Sequence, residues 1–139
     1  MAYLPNYRPK QLSLGPLESE ILHIVWELAL VTVKDVHDRI LTDPERELAY
    51  TSVTTVLNRL VKKGWLQSAK QGRVFSWHAL VSPQQAQALW AYDQLNQFLA
   101  VSNPDVVAAF ADSLDQTSVD QLQAIAQRLQ VARQAREAQ

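Results

Sequence analysis

Residues 49–80 read AYTSVTTVLNRLVKKGWLQSAKQGRVFSWHAL, and this stretch decides the fold. Val53, Val56, Leu57, Leu60 and Val61 recur at i, i+3, i+4, i+7 and i+8, so they form one buried face of a helix over roughly Thr51–Lys63. The other face carries Thr51, Ser52, Thr54, Thr55, Asn58, Arg59 and Lys62, with Tyr50 at its start. Gly64 stands where a helix would end in a left-handed cap. Two strand-like segments follow, Trp65–Ala69 and Val74–Leu80, around the turn signal Lys70-Gln71-Gly72-Arg73. In the second segment Phe75, Trp77 and Ala79 share one face, and the alternation reads Trp65, Trp77 and Phe75 as wing core, not as a platform for stacking bases. Hydroxyls and amides hydrogen-bond base edges, and cations neutralise phosphate. No Asp or Glu occurs from Leu48 to Tyr92, while Arg59, Lys62, Lys63, Lys70 and Arg73 all do. A polar helix followed by a basic hairpin is the pattern of a winged helix that reads double-stranded DNA.

Working outward, two more helices precede this unit. Gly15-Pro16 opens the first, with Pro16 in the first turn, where its missing N–H costs little. Leu17, Ile21, Ile24, Val25 and Leu28 form its apolar stripe, with Trp26 at the edge. Thr32-x-x-Asp35 begins the second as a capping-box variant, and Val33, Val36 and Ile40 follow at helical spacing, with Asp43-Pro44 as the stop. Residues 1–12 read as an N-terminal arm and residues 13–82 as the winged helix-turn-helix domain.

Residues 83–139 read as a helical domain. Ser82-Pro83-x-Gln85 restarts a helix that runs to about Val101, in which Ala88, Tyr92, Leu95 and Leu99 are spaced 4, 3 and 4 as a heptad seam. Asn103-Pro104 caps a short helix carrying Phe110, and Ser118-x-x-Gln121 reads as a capping box for a last helix with Leu122, Ile125 and Leu129. Three helices in fewer than 60 residues make a poor independent core. Their apolar stripes call for a partner, and a second copy of the chain is the simplest one. Leu95, Phe98, Leu99, Phe110, Leu122, Ile125 and Leu129 are the expected dimerisation residues. The fold class is therefore mainly α with a small β-hairpin wing.

Composition narrows the function. The net charge is −1, yet residues 1–82 hold ten basic against eight acidic side chains and residues 83–139 hold three against six. The N-terminal part is the one suited to a polyanion. No cysteine is present, which excludes disulfides, thiolate metal sites and cysteine nucleophiles. His23, His37 and His78 stand apart, too few and too scattered for a metal site, and His23 reads as a partly buried packing residue. No nucleophile elbow and no phosphate-binding glycine loop occurs, so the expectation is a protein that is not an enzyme and takes no cofactor. No apolar run reaches the ~20 residues of a membrane span, and the N-terminus lacks the apolar stretch of a signal peptide, so a cytoplasmic protein is expected. The competing reading is a winged helix used for protein–protein assembly, but that use expects apolar or acidic side chains on the third helix.

The segments LESEILHIVWEL at 17–28, VTVKDVHDRI at 31–40, AYTSVTTVLNRLVKKGWL at 49–66 and GRVFSWHALVS at 72–82 resemble the penicillinase-repressor family of bacterial transcription regulators (the BlaI/MecI/CopY group). The resemblance covers residues 14–82 well and the C-terminal helices loosely. It implies a homodimeric repressor whose winged helix binds palindromic operators, with half-sites of the TACA/TGTA type, and whose C-terminal helices interlock. It implies base contacts by Thr51, Ser52 and Thr55, flanked by Tyr50 and Asn58. Two departures stand out. Copper-responsive members carry a C-terminal cysteine motif, absent here. Resistance repressors are cleaved at an Asn-Phe bond, and the corresponding pair here is Ala109-Phe110, so induction by that cleavage is not expected.

Overall fold

The computed structural model describes residues 6–101 and 103–138, so residues 1–5 of the expected arm lie outside the described residues. The element order is α1 (Pro16–Leu28), β1 (Leu30–Val31), α2 (Val33–Ile40), α3 (Tyr50–Lys63), β2 (Leu66–Gln71), β3 (Val74–Ala79), α4 (Pro83–Leu99), α5 (Pro104–Ser113) and α6 (Gln116–Glu137). One compact unit extends to Leu95 and a second runs from Asn96.

In the first unit, α1, α2 and α3 bury Ile21, Leu22, Val25, Val36, Val53, Leu57 and Leu60 against one another. The caps form as their chemistry requires. The Thr32 hydroxyl accepts from Asp35 N–H while the Asp35 carboxylate accepts from Thr32 N–H. Ser82 and Gln85 exchange the same pair of bonds at the start of α4. At α6 the cap is Asp115, whose carboxylate accepts from Ser118 N–H, so the helix begins one turn earlier than Ser118-x-x-Gln121 suggests.

The sheet has three antiparallel strands in the order β1-β3-β2. The hairpin pairs Leu66 with Ala79 through Gln71 with Val74, which leaves Gly72 and Arg73 as a two-residue loop. Gly72 at φ +63° supplies the positive φ that such tight hairpin loops require. Strand β1 adds Leu30 opposite His78 and Val31 opposite Trp77. Two residues carry no readable period, so only pairing with β3 makes them a strand. Trp77 is buried, whereas Phe75 is half-exposed, because the hairpin reaches past the helical core. Phe75 is therefore not wing core.

The helical core continues beyond Val81. Ala86 and Leu89 of α4 are buried, and Trp90 packs on the same core. The compact unit thus extends through the first three turns of α4, past the boundary at residue 82 that the sequence suggests.

Two positions test the backbone in opposite directions. Ala29, which ends α1, sits at φ +70°, ψ −54°, a strained conformation for any residue with a Cβ. Gly64, which ends α3, sits at φ +90°, and a Cβ there would meet Lys10 N at 3.0 Å and Pro9 Cα at 3.1 Å. Ala29→Gly should therefore raise stability by about 1 kcal/mol and Gly64→Ala should lower it by about 2–3 kcal/mol. Urea midpoints read at unchanged slope measure both.

Candidate nucleic-acid interface

Helix α3 divides cleanly into two faces. Val53, Val56, Leu57 and Leu60 are buried, and on the opposite side Thr51, Thr55, Asn58, Arg59 and Lys62 are exposed. The spacing 51, 55, 58 and 62 places four of these in one stripe along the helix. Ser52 and Thr54 flank the stripe and are half-buried, and Tyr50 stands exposed at its N-terminal end.

Neither Thr51 nor Ser52 caps this helix: its N-cap is Ala49, which offers no side-chain acceptor. The hydroxyls of Thr54 and Thr55 instead turn back on the helix. Thr55 Oγ1 donates to Thr51 O at 2.9 Å, and Thr54 Oγ1 donates to Tyr50 O at 3.4 Å. With its proton engaged, the Thr55 hydroxyl presents an acceptor lone pair beside a methyl group. An acceptor suits the exocyclic amine of adenine or cytosine, and a methyl suits the thymine methyl.

The start of α3 is held from two sides. The His37 ring N–H at Nε2 donates to Leu48 O at 2.9 Å, and the ring meets Tyr50 edge-on at 5.2 Å. Arg46, in the connection between α2 and α3, makes a forked pair with Glu20 of α1 at 2.8 and 2.9 Å. The hydrogen bond from Arg46 holds the Glu20 carboxyl below its ordinary range. These contacts set the angle at which the exposed stripe leaves the helical core.

The five expected phosphate cations separate into two groups. Arg59, Lys62 and Arg73 are exposed and have no ion-pair partner among the described residues. Lys70 is also exposed, with its ammonium 5.3 Å from the Phe75 ring centre near the wing tip. Lys63 is different. Its side chain is only 17% exposed, and its ammonium lies 2.8–2.9 Å from the Glu18 carboxylate and 3.0 Å from Ser13 O. With three acceptors already around it, Lys63 serves the fold and leaves the set of phosphate candidates. Glu18, three positions into α1, gave no sequence signal of burial, since its neighbours Leu17 and Ile21 mark the apolar stripe.

The remaining expected positions fall as follows. His23 is exposed on α1, not partly buried, with Nδ1 2.8 Å from Ser19 O. Among the described residues, no group of three or more His, Asp or Glu is placed to hold a metal ion. No described helix is long and apolar enough to cross a membrane. Leu95, Phe98, Leu99, Phe110, Leu122, Ile125 and Leu129 are all exposed in the single chain, Leu99 by 67%. Within the second unit the rings of Phe98 and Phe110 lie 5.2 Å apart, and neither α5 nor α6 has a buried residue. The Ala109-Phe110 bond lies inside α5, as its spacing predicts, but Phe110 is half-exposed.

Comparison with known proteins gives the family. The penicillinase repressor family model matches residues 14–131. The chain belongs to that family. A protein of Latilactobacillus sakei, described as an uncharacterized 16.5 kDa protein in the ptsI 3' region, is 33% identical over 108 residues, 76% of this chain and 73% of that protein. Among solved structures, the DNA-binding domain of the repressor BlaI is 23% identical, with a TM-score of 0.44 over 61% of this chain and 93% of that one. The Bacillus licheniformis BlaI monomeric form in complex with the blaP half-operator is 24% identical, with a TM-score of 0.43 over 61% and 93%. By its family match the chain is a transcriptional regulator, and its first three helices and three-stranded sheet form a winged helix.

The Lys63–Glu18 pair yields a test of its structural role. Burial raises the Glu18 carboxyl pKa, but hydrogen bonds from Lys63 and Gly15 N–H, with the Lys63 charge, hold it below the ordinary value of 4.5. A depressed carboxyl stabilises the fold above its unfolded pKa, and that contribution is lost as pH falls through the folded one. Lys63→Ala should cost about 3 kcal/mol at pH 7 by leaving a shielded carboxylate unpaired. The deficit should shrink as pH falls and the variant's carboxyl, shielded and without Lys63, takes up a proton before that of the wild type does. Denaturation midpoints as a function of pH, for wild type and variant, measure it.

Proposed function

We propose that the protein is a homodimeric, cytoplasmic repressor that binds palindromic operators in promoters and excludes polymerase. One observation carries this reading. The exposed stripe of α3 presents Thr51, Thr55, Asn58, Arg59 and Lys62 with no acidic residue, the surface a major-groove helix needs. Thr51, Ser52 and Thr55 read bases, with Tyr50, Thr54 and Asn58 beside them. Arg59, Lys62, Lys70 and Arg73 hold phosphates on either side. Second-copy association follows from the apolar side chains of α4, α5 and α6, which a single chain leaves uncovered. Two-fold symmetry then matches an inverted repeat with half-sites centred about one helical turn, ~10 bp, apart or a small multiple of it. No metal, cofactor or catalytic step enters this mechanism.

Two measurements test it. Thr55→Val keeps a methyl group and removes the acceptor, so discrimination between the selected site and single-base variants should fall by about 1–3 kcal/mol. Arg73→Ala should weaken binding to all sequences alike and flatten the salt dependence on the full inverted repeat by about two units of slope, one for each protomer. Equal affinity of the wild type for its best inverted repeat and for scrambled DNA would refute specific recognition.

The dimer has its own test. Leu99→Asp with Leu129→Asp alters two exposed side chains, so each chain should keep its fold. Sedimentation should show a monomer, and affinity for the full inverted repeat should fall by at least about tenfold, because the second half-site no longer gains from effective concentration. A variant that still sediments as a dimer would place the interface elsewhere.

A further inference from the structure

Residues 7–12 of the N-terminal arm touch two parts of the fold that are far apart in sequence, the end of α3 at residues 63–65 and α4 at residues 90–92. The Tyr7 hydroxyl donates to Gly64 O at 2.7 Å, at the end of α3. Gln11 N–H donates to Lys63 O at 3.2 Å, and the Trp65 indole N–H returns a bond to Gln11 O at 2.8 Å. The Trp90 indole N–H, from α4, donates to Leu12 O at 2.8 Å. The Arg8 guanidinium lies over the Tyr92 ring, 5.2 Å from its centre, one residue pair further along α4. Pro9 is buried between these contacts. The Trp65 and Trp90 rings, 5.1 Å apart, close the joint from inside.

We propose that this arm fixes α4 against the winged helix and thereby sets affinity for the two-half-site operator, with Tyr7 and Arg8 as positioning residues for operator binding. Beyond Trp90, α4 has no buried residue, and the Arg8–Tyr92 contact lies between that residue and Leu95. Tyr92 shares its heptad seam with those leucines. A helix that carries the interface and is rigidly seated on the reading head presents the second head in one orientation. A loosely seated helix must be ordered at the moment of binding, and that ordering weakens attachment to the full operator while leaving each head's half-site contacts intact. Among the described residues, the arm's hydrogen bonds to α3 fall at Lys63 and Gly64, the end opposite Thr51. This inference rests on the dimeric operator reading above.

The experiment uses the full chain and the duplex that the wild type enriches from a random-sequence pool, prepared as the full inverted repeat and as one half-site. The double variant Tyr7→Phe, Arg8→Ala removes the hydroxyl bond and the cation without touching the buried core, and Arg8→Lys restores the cation. Amide hydrogen exchange over residues 84–94 reports how firmly α4 is seated. The double variant should exchange faster there, bind the full repeat about tenfold more weakly, and bind the half-site as the wild type does. Arg8→Lys with Tyr7 intact should recover most of the full-site affinity. Unchanged exchange, unchanged full-site affinity, or equal losses on full and half sites would each overturn the proposal. A wild type that enriches no duplex, or that sediments as a monomer, overturns the functional reading instead, and the exchange measurement still decides whether the arm seats α4.

Discussion

The end of α3 at Gly64 is the constraint on which the rest of the first unit depends. The left-handed backbone there reverses the chain so that Trp65 enters the core at once and β2 begins at Leu66. The space a side chain would fill is taken by the arm, with Lys10 N and the Tyr7 hydroxyl at 3.0 Å from the site of a Cβ. Lys63, one residue earlier, binds Glu18 of α1 and Ser13 O. Recognition helix, wing, first helix and arm therefore meet within three residues.

That joint also sorts the cations. Lys62 and Lys63 are adjacent and look alike in the sequence, but 100° of helix rotation separates them. Lys62 projects with Thr51, Thr55 and Asn58 into solvent, while Lys63 points at a shielded carboxylate. The distinction matters for function. An exposed ammonium without a counter-charge attracts phosphate, whereas one already surrounded by acceptors contributes through the stability of the fold.

Three tryptophans link the winged helix to α4. Trp26, Trp90 and Trp65 lie in a chain in that order, with ring centres 6.5 and 5.1 Å apart, and each indole N–H donates to a backbone carbonyl, at Val81, Leu12 and Gln11. Large rings with satisfied polar edges fill the seam between helices without leaving a buried donor unpaired. This is why the compact unit extends to Leu95, and not to the loop at Ser82. Beyond it, α5 and α6 have the helical signals of folded elements and no buried residue of their own.

The sequence by itself determined the helices, the capping boxes of α2 and α4 and the turn of the wing, because these follow from local chemistry: apolar period, Pro16, Thr32 with Asp35, Ser82 with Gln85, and Gly72; the caps of α3 and α6 lie elsewhere than it suggested. It also determined the polar face of α3, since residues three and four apart on a helix share a face whatever surrounds it. Tertiary structure alone decided what depends on contacts distant in sequence. Leu30 and Val31 become a strand only because β3 lies beside them. Phe75 is uncovered because the hairpin outreaches the core, and Lys63 is held because the fold brings Glu18, 45 residues away, to its ammonium. Residues 7–12 of the arm are held because indole N–H groups on other elements donate to its backbone carbonyls and the Gly64 carbonyl accepts from its tyrosine. Periodicity records which face of an element is apolar; it holds no information about which distant partner will meet that face.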